Sequence, residues 1–258
     1  MKTWHNTGLV DSLQLPASGA AWLLGDGVFE SLRTYELVPF ELERHLERLS
    51  NSLEFLQING PTTPEIASAV KAVIAANPYS PYGRLRIAVY SDGQWIITHT
   101  EFLPSAKPLS LHRYQGRRFS ESMLARVKSA SYAESSLALR LATAQGFDDA
   151  IFVNEREEVV ETALANLIWL EDEQWFTPTL QSGCLPGVTR ALLIENFGVH
   201  EGVLPVSEIQ SVRALALTSS VREIVAIERY ESNLYPTSQP LQELQASFHA
   251  WVLGKLHS

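Results

Sequence analysis

Cysteine is almost missing from this chain. Cys184 is the only one in 258 residues, so no intrachain disulfide can form and no CxxC pair exists for a structural zinc site. Stability must come from packing. Long apolar runs are missing as well: stretches such as ALANLIWL (163–170) fall far short of the roughly 20 residues that span a bilayer, so no membrane span is expected. The N-terminus, MKTWHNTGLV, has neither a continuous apolar core nor a small-residue cleavage site, and the expected location is the cytoplasm. Basic runs are absent and the formal charge is −9, which leaves nucleic-acid binding by counterion release without a footprint. An anionic substrate would have to be met by a few placed arginines. Among short motifs, GxxxxGK[ST], HExxH, GxSxG and HxE followed by PCxxC do not occur, which lowers ATPase, zincin, serine hydrolase and zinc deaminase. No two histidines stand at metal-ligand spacing on one helix, so no metal is expected.

What is present reads as a globular chain of mixed structure, 45% hydrophobic and 19% charged. In FELERHLERLSNSLEFLQI (40–58), leucines recur at spacings of four and three among charged residues, which predicts an amphipathic helix. A second helix is expected from Thr63 as N-cap with Pro64 in its first position, ending at Asn77-Pro78. RLRIAVY (84–90) and QWIITHTEF (94–102), joined by Ser91-Asp92-Gly93, predict a hairpin. LPSAKP (103–108) reads as a linker. Beyond it, strands are expected at 109–114, 150–154, 158–162, 166–170, 175–178 and 214–220, with helices near 133–145, 188–197 and at the C-terminus. The resulting expectation is an α+β chain with a small N-terminal domain, 1–104, and a larger pseudo-barrel domain, 105–258.

GDGVFE (25–30) holds the first two glycines of a dinucleotide fingerprint, but Glu30 occupies the third position and no βαβ unit surrounds it, so nucleotide binding there is rejected. Lysine usage is more telling. Of only five lysines, Lys128 alone falls inside a low-charge stretch, VKSASYAESSLAL, between a strand-like segment and a helix. A desolvated lysine in that setting suits Schiff-base chemistry, while a snorkelling lysine is the plainer alternative.

The residues that follow in order are Tyr132, GFDDAIFVNEREEVVETALANLIWL, FTPTLQSGCLPGVTR and LTSSVREI. Together with GDGVFESLR (25–33) and FELERHLERL (40–49), they make the chain resemble the class IV aminotransferase family. These are the fold-type IV pyridoxal-phosphate enzymes, which include branched-chain and D-amino-acid aminotransferases and 4-amino-4-deoxychorismate lyases. The resemblance spans nearly the whole chain.

It implies a two-domain fold of the D-amino-acid aminotransferase type, a homodimer, pyridoxal 5′-phosphate as cofactor and a small carboxylate as substrate. Lys128 resembles the lysine that carries the cofactor and shuttles protons. Glu161 matches the glutamate that pairs with the pyridine nitrogen and keeps the ring able to accept electrons. Arg48 matches the phosphate arginine, a role suited to a charged bidentate donor. Gly187, Val188 and Thr189, at a helix start, match the backbone that meets the phosphate. Leu185 resembles the leucine packed on one ring face. Thr218, Ser219 and Ser220 match the hydroxyl segment near phosphate and substrate, and Tyr132 the tyrosine near the phenolic oxygen.

KSASY and LTSSVREIVAI, with the short chain, tilt the resemblance toward the lyase, which releases pyruvate and 4-aminobenzoate in folate synthesis. Ser219 and Ala226 depart from that pattern, where asparagine and proline are common. The alternatives are an aminotransferase and a family member that binds the cofactor without turnover. Arg84, Arg86, Arg113, Arg117 and Arg118 are open choices for a substrate carboxylate.

Overall fold

The computed structural model describes residues 1–16, 19–105, 107–236 and 238–256. They form two compact units, one of residues 1–104 with 127–132, the other of residues 105–126 with 133–256. The sequence-based boundary stood at 104/105. The short segment carrying Lys128 instead groups with the first unit, because its backbone pairs with a strand there. Of the expected linker, Ala106 lies outside the described residues, and Leu103 is exposed.

The first unit runs β1 (Thr3–His5), β2 (Gly8–Val10), a short α1 (Ala20–Leu24), β3 (Gly27–Tyr35), β4 (Val38–Pro39), α2 (Leu42–Phe55), α3 (Thr63–Ala75), β5 (Tyr82–Tyr90) and β6 (Trp95–Glu101). Its strands make one antiparallel sheet in the order β2-β1-β6-β5-β3-β4. Alternation along β3 sends Val28 and Leu32 to the core with Leu85, Ile87, Val89 and Ile97. On α2 the leucine periodicity buries Leu46, Leu49 and Leu53 against that face, and α3 adds Ile66, Val70 and Val73. The cap of α3 is Thr62, one residue before the expected Thr63. Glu65 stands three residues after Thr62, accepts from its backbone N–H at 2.7 Å and donates its own N–H to the Thr62 hydroxyl at 3.4 Å. That reciprocal pair satisfies two exposed donors and decides the boundary.

The second unit runs β7 (Leu109–Arg117), α4 (Ala133–Ala144), β8 (Asp149–Val153), β9 (Val159–Thr162), β10 (Asn166–Glu171), β11 (Gln174–Pro178), α5 (Val188–Phe197), β12 (His200–Gly202), β13 (Ala214–Ser219), β14 (Glu223–Tyr230), β15 (Asn233–Leu234) and α6 (Gln239–Leu256). Nine strands form a curled sheet, ordered β12-β11-β10-β13-β14-β7-β8-β9, with β15 on β14. Parallel pairings occur at β11/β12, β14/β7 and β7/β8. Along β8, Ile151 and Val153 enter one apolar cluster with Leu167, Trp169 and Leu217, while Ala150 and Phe152 enter another with Ala138, Val160 and Cys184. A strand buried on both faces explains why AIFV shows no polar alternation. Among the described residues, no helix is long and apolar enough to cross a membrane.

Asp149, fully buried at the start of β8, breaks that apolar pattern. Its carboxylate accepts from the Ala150 N–H at 2.7 Å and the Thr162 hydroxyl at 3.0 Å, which ties the turn after β9 to β8. Burial pushes its pKa up to about 6 in spite of those bonds. The folded state therefore holds the proton more tightly than the unfolded chain, and this group's contribution to stability is lost as pH rises from about 4 to about 6. Asp149→Asn removes that dependence: its amide can donate to Thr162, whose hydroxyl then turns to the Ala165 carbonyl 3.2 Å away. Urea unfolding should show the variant gaining on the wild type between pH 4 and 6, by on the order of 2 kcal/mol, and no further above pH 7. A difference that is flat in pH would contradict this.

Candidate functional site

In the first unit, residues 128–130 lie antiparallel to the start of β3. The Phe29 N–H donates to the Lys128 carbonyl at 3.0 Å, the Ala130 N–H to the Gly27 carbonyl at 2.8 Å, and Val28 bridges Ser129. The Ser131 hydroxyl donates to the Gly25 carbonyl at 2.9 Å. Glycine is needed on the facing side: a Cβ on Gly25, whose φ is +66°, would stand 2.9 Å from the Ala130 carbonyl oxygen. This pairing delivers Lys128, half-buried, to the outer face of β3. Its Nζ lies 4.6 Å from the centroid of the Phe29 ring.

The Arg86 guanidinium sits 4.0 Å from the same centroid, and Tyr132 packs edge-on against Phe29 at 5.6 Å. An amine and a guanidinium thus share one aromatic platform, with Arg84 two residues along β5 on the same face. Arg48 lies on α2, and its Nε and Nη2 donate to the two oxygens of Glu30 at 2.7 and 2.6 Å. On the same helix Arg44 pairs with Glu41, whereas Arg48 pairs with a strand residue.

In the second unit the organising group is Glu161 on β9, 7% exposed. One oxygen accepts from the Leu185 N–H at 3.0 Å and from Asn166 Nδ2 at 3.2 Å; the other accepts from Arg118 Nη1. Arg118 is held in turn by the face of Phe152, 3.8 Å from its centroid, and by the Ser135 hydroxyl. Asn166 also donates to the Leu185 carbonyl at 2.9 Å, so one side chain locks the 184–187 loop to the carboxylate. Burial pushes the adjacent Cys184 thiol up to about 11, which leaves it an inert packing group.

That loop leads into α5, whose N-cap Gly187 offers no capping side chain. The first-turn N–H groups, those of Val188 and Thr189 among them, have no acceptor within the helix. The Thr189 hydroxyl lies 3.3 Å from that of Ser220. Thr218, 1% exposed, has a buried Oγ1 with no hydrogen-bond partner among the described residues, and Ser219 caps the turn by accepting from the Arg222 N–H at 3.2 Å. The structure therefore gathers Glu161, Leu185, Gly187, Val188 and Thr189 with Thr218 and Ser220 around the ends of β9, β10 and β13. Lys128, Tyr132 and Arg48 belong to the first unit.

The five arginines divide. Arg113 and Arg117 both pair with Glu157, and Arg118 with Glu161, so these three already have carboxylates. Arg84 and Arg86 make no ion pair with a described carboxylate. Sequence reasoning missed Asn166, Phe29, Glu30 and His45. For His45 the signal was there: HLER places His45 and Arg48 one helical turn apart, on the face that also carries Leu49.

Residues 27–230 match the family model described as amino-transferase class IV. The chain is 29% identical to the aminodeoxychorismate lyase of Bacillus subtilis, over 92% of this chain and 89% of that protein. Among solved structures it is similar to a branched-chain aminotransferase from Thermoproteus uzoniensis determined with norvaline. The TM-score is 0.90 at 25% identity, covering 99% of this chain and 95% of the other. A fold IV transaminase from Curtobacterium pusillum gives a TM-score of 0.86 at 25% identity, with 98% of both chains covered.

Gly187 is where this loop is tightest. Its φ of −69° suits any residue, yet a Cβ there would stand 1.9 Å from Asn166 Oδ1. Gly187→Ala should cost about 2 kcal/mol by displacing Asn166 rather than by backbone strain. Asn166→Ala alone should cost about 1–2 kcal/mol through its lost buried hydrogen bonds. Thermal unfolding of the double variant should then show clearly less than the sum, since the clash has gone; additive costs would place the strain elsewhere.

Proposed function

This chain belongs to the class IV aminotransferase family, and from that premise we propose that it is a pyridoxal 5′-phosphate enzyme acting on a small amino carboxylate, with 4-amino-4-deoxychorismate as substrate. Enzymes of this family depend on that cofactor. The residues present fit it: a buried Thr218 hydroxyl without a partner, an uncapped start of α5 and the Thr189–Ser220 hydroxyl pair suit a phosphate, and a buried carboxylate at Glu161 suits a pyridinium. Arg48 supplies the charged donor for the phosphate, Leu185 an apolar side for the ring, and Tyr132 a phenol beside the lysine.

The observation that carries the reading is the Phe29 platform, where Lys128 Nζ and the Arg86 guanidinium stand 4.6 and 4.0 Å from one ring centroid. A substrate that bears an amine and a carboxylate needs an amine to exchange with and a cation to hold its acid. When bound, the cofactor would supply an aldehyde for the substrate amine and a sink for the electrons released at the neighbouring carbon. Lys128 Nζ then removes the proton from that carbon and holds it. In the lyase reaction the same nitrogen returns the proton to the departing enolpyruvyl fragment, so that pyruvate and 4-aminobenzoate account for all the atoms of the substrate. Glu161, held by three donors, would pair with the ring nitrogen. Arg86, with Arg84 beside it, holds a substrate carboxylate.

The similarity to the Bacillus lyase and the KSASY and LTSSVREI segments support the lyase and, with it, a place in folate synthesis. The overall likeness to the Thermoproteus aminotransferase favours a second reading, transamination, in which Lys128 would deliver its proton to the cofactor side instead. A homodimer in the cytoplasm completes the proposal. The exposed Phe119, Met123, Leu124, Leu137 and Leu141 of the second unit support self-association.

The test is a paired assay on cofactor-loaded protein: 4-aminobenzoate release from 4-amino-4-deoxychorismate, beside the cofactor absorbance on adding L- or D-amino acids without an acceptor. Rapid 4-aminobenzoate release with a stable spectrum is expected. Conversion to the pyridoxamine form without 4-aminobenzoate would make the protein a transaminase, and a protein that takes up no cofactor would sink both readings. Lys128→Ala should abolish the borohydride-trapped adduct, and Arg86→Gln should raise KM about tenfold or more with a smaller change in kcat. In sedimentation velocity the protein should run at twice 28.7 kDa, and a monomer would remove the dimer from the proposal.

A further inference from the structure

Glu30 occupies a position on β3 that its neighbours give to the core. Val28 and Leu32 flank it on the same face and are fully buried, and Glu30 itself is 1% exposed. A carboxylate there is costly unless it is fully paired. It is paired three times over: Arg48 Nε donates to Oε1 at 2.7 Å, Arg48 Nη2 to Oε2 at 2.6 Å, and His45 Nδ1 stands 2.7 Å from Oε2. Burial pushes the Glu30 carboxyl up, but the charge and hydrogen bonds of Arg48, with those of His45, outweigh it and hold it at about 2. Burial, with the charges of Arg48 and Lys128 against the pull of Glu30, holds His45 below its ordinary value, so its ring is neutral. The cluster is one anion, one cation and one neutral donor.

Its three members differ in access. The side chains of Glu30 and His45 are each 1% exposed, whereas that of Arg48 is 12% exposed. With the Nε–Nη2 edge directed at Glu30, the plane of the guanidinium and the direction of its opposite edge are both set. His45, one turn before Arg48 on α2, fixes the carboxylate that fixes the arginine.

We propose that Glu30 and His45 are positioning residues for Arg48, holding its guanidinium in the one orientation that receives the cofactor's phosphate. This rests on the reading of Arg48 given above. The alternative is that the cluster only fills the core. Charge alone also makes a distinct prediction: an arginine relieved of Glu30 would be a stronger cation and would bind phosphate more tightly. Orientation makes the opposite one, because a bidentate donor off its plane loses its paired hydrogen bonds.

The experiment titrates apo-protein with pyridoxal 5′-phosphate and with pyridoxal, which lacks the phosphate, following tryptophan fluorescence, and compares the ratio of the two dissociation constants. The wild type should favour the phosphorylated form strongly. Glu30→Gln should cut the ratio at least tenfold while the affinity for pyridoxal stays within twofold. Arg48→Lys should cut it similarly, and the double variant should fall little further. His45→Leu should lower the ratio and His45→Asn, which keeps a donor at the Nδ1 position, should restore it.

Tighter binding of the phosphorylated form by Glu30→Gln, an unchanged ratio, or equal losses for both forms would overturn the positioning role. Should Glu30→Gln fail to fold, the His45 pair decides, and equal ratios for Leu and Asn would overturn it. A ratio that collapses in Arg48→Lys yet persists in Glu30→Gln overturns the positioning role alone. A wild type that binds both forms equally overturns the phosphate reading of Arg48 along with it.

Discussion

Two backbone hydrogen bonds between residues 128–130 and the first turn of β3 decide where the amine of Lys128 stands. Without them, the segment after Arg126 would have no reason to leave the second unit, whose chain enters before it and resumes after it. The approach is close enough that Gly25 admits no side chain; Gly27 is tight for another reason, since a Cβ there would meet the Val89 carbonyl oxygen of β5 at 2.4 Å. The glycines of GDG therefore serve strand pairing rather than a nucleotide. Because the bonds are made by backbone, they hold the lysine's chain without using its side chain.

Each unit also holds a buried carboxylate ringed by three donor bonds. Glu161 takes a backbone N–H, an asparagine and an arginine; Glu30 takes an arginine twice and a histidine. Replacing such clusters with apolar residues is often neutral or stabilising in proteins, so packing alone does not require them. Their shared property is geometry: a carboxylate with its lone pairs fully directed cannot rotate, and neither can what it holds. Arg118 shows the same economy, with Phe152 beneath it and Ser135 beside it. An arginine that on sequence was a choice for substrate is committed to the protein itself.

Much of the architecture was legible in the chain. The α2 leucines, the β5–β6 hairpin around Ser91-Asp92-Gly93 and the uninterrupted AIFV strand each carry a local periodicity or turn chemistry that the fold preserves. β3 was not read as a strand, although it pairs with β5 along its whole length, because GVFESLRTY places a glutamate on its buried face and an arginine, Arg33, under aromatic rings on the other. Both charges are buried by partners from distant segments. β14 was missed for a related reason, since EIVAIERY mixes charges into an apolar run that packs beneath α6.

The sequence by itself determined the helices other than the short α1, about half of the strands and the absence of disulfides. Those are properties of neighbours three or four positions apart, where propensity, capping and period act. Tertiary structure alone decided which unit owns Lys128, that Arg118 is bound to Glu161 while Arg84 and Arg86 make no ion pair with a described carboxylate, and that Glu30, His45 and Arg48 form one cluster. Those outcomes join residues 15 to more than 100 positions apart, and no local preference encodes them: they follow from strand register, which fixes which side chains face each other across a sheet, and from the cost of leaving a buried charge unpaired.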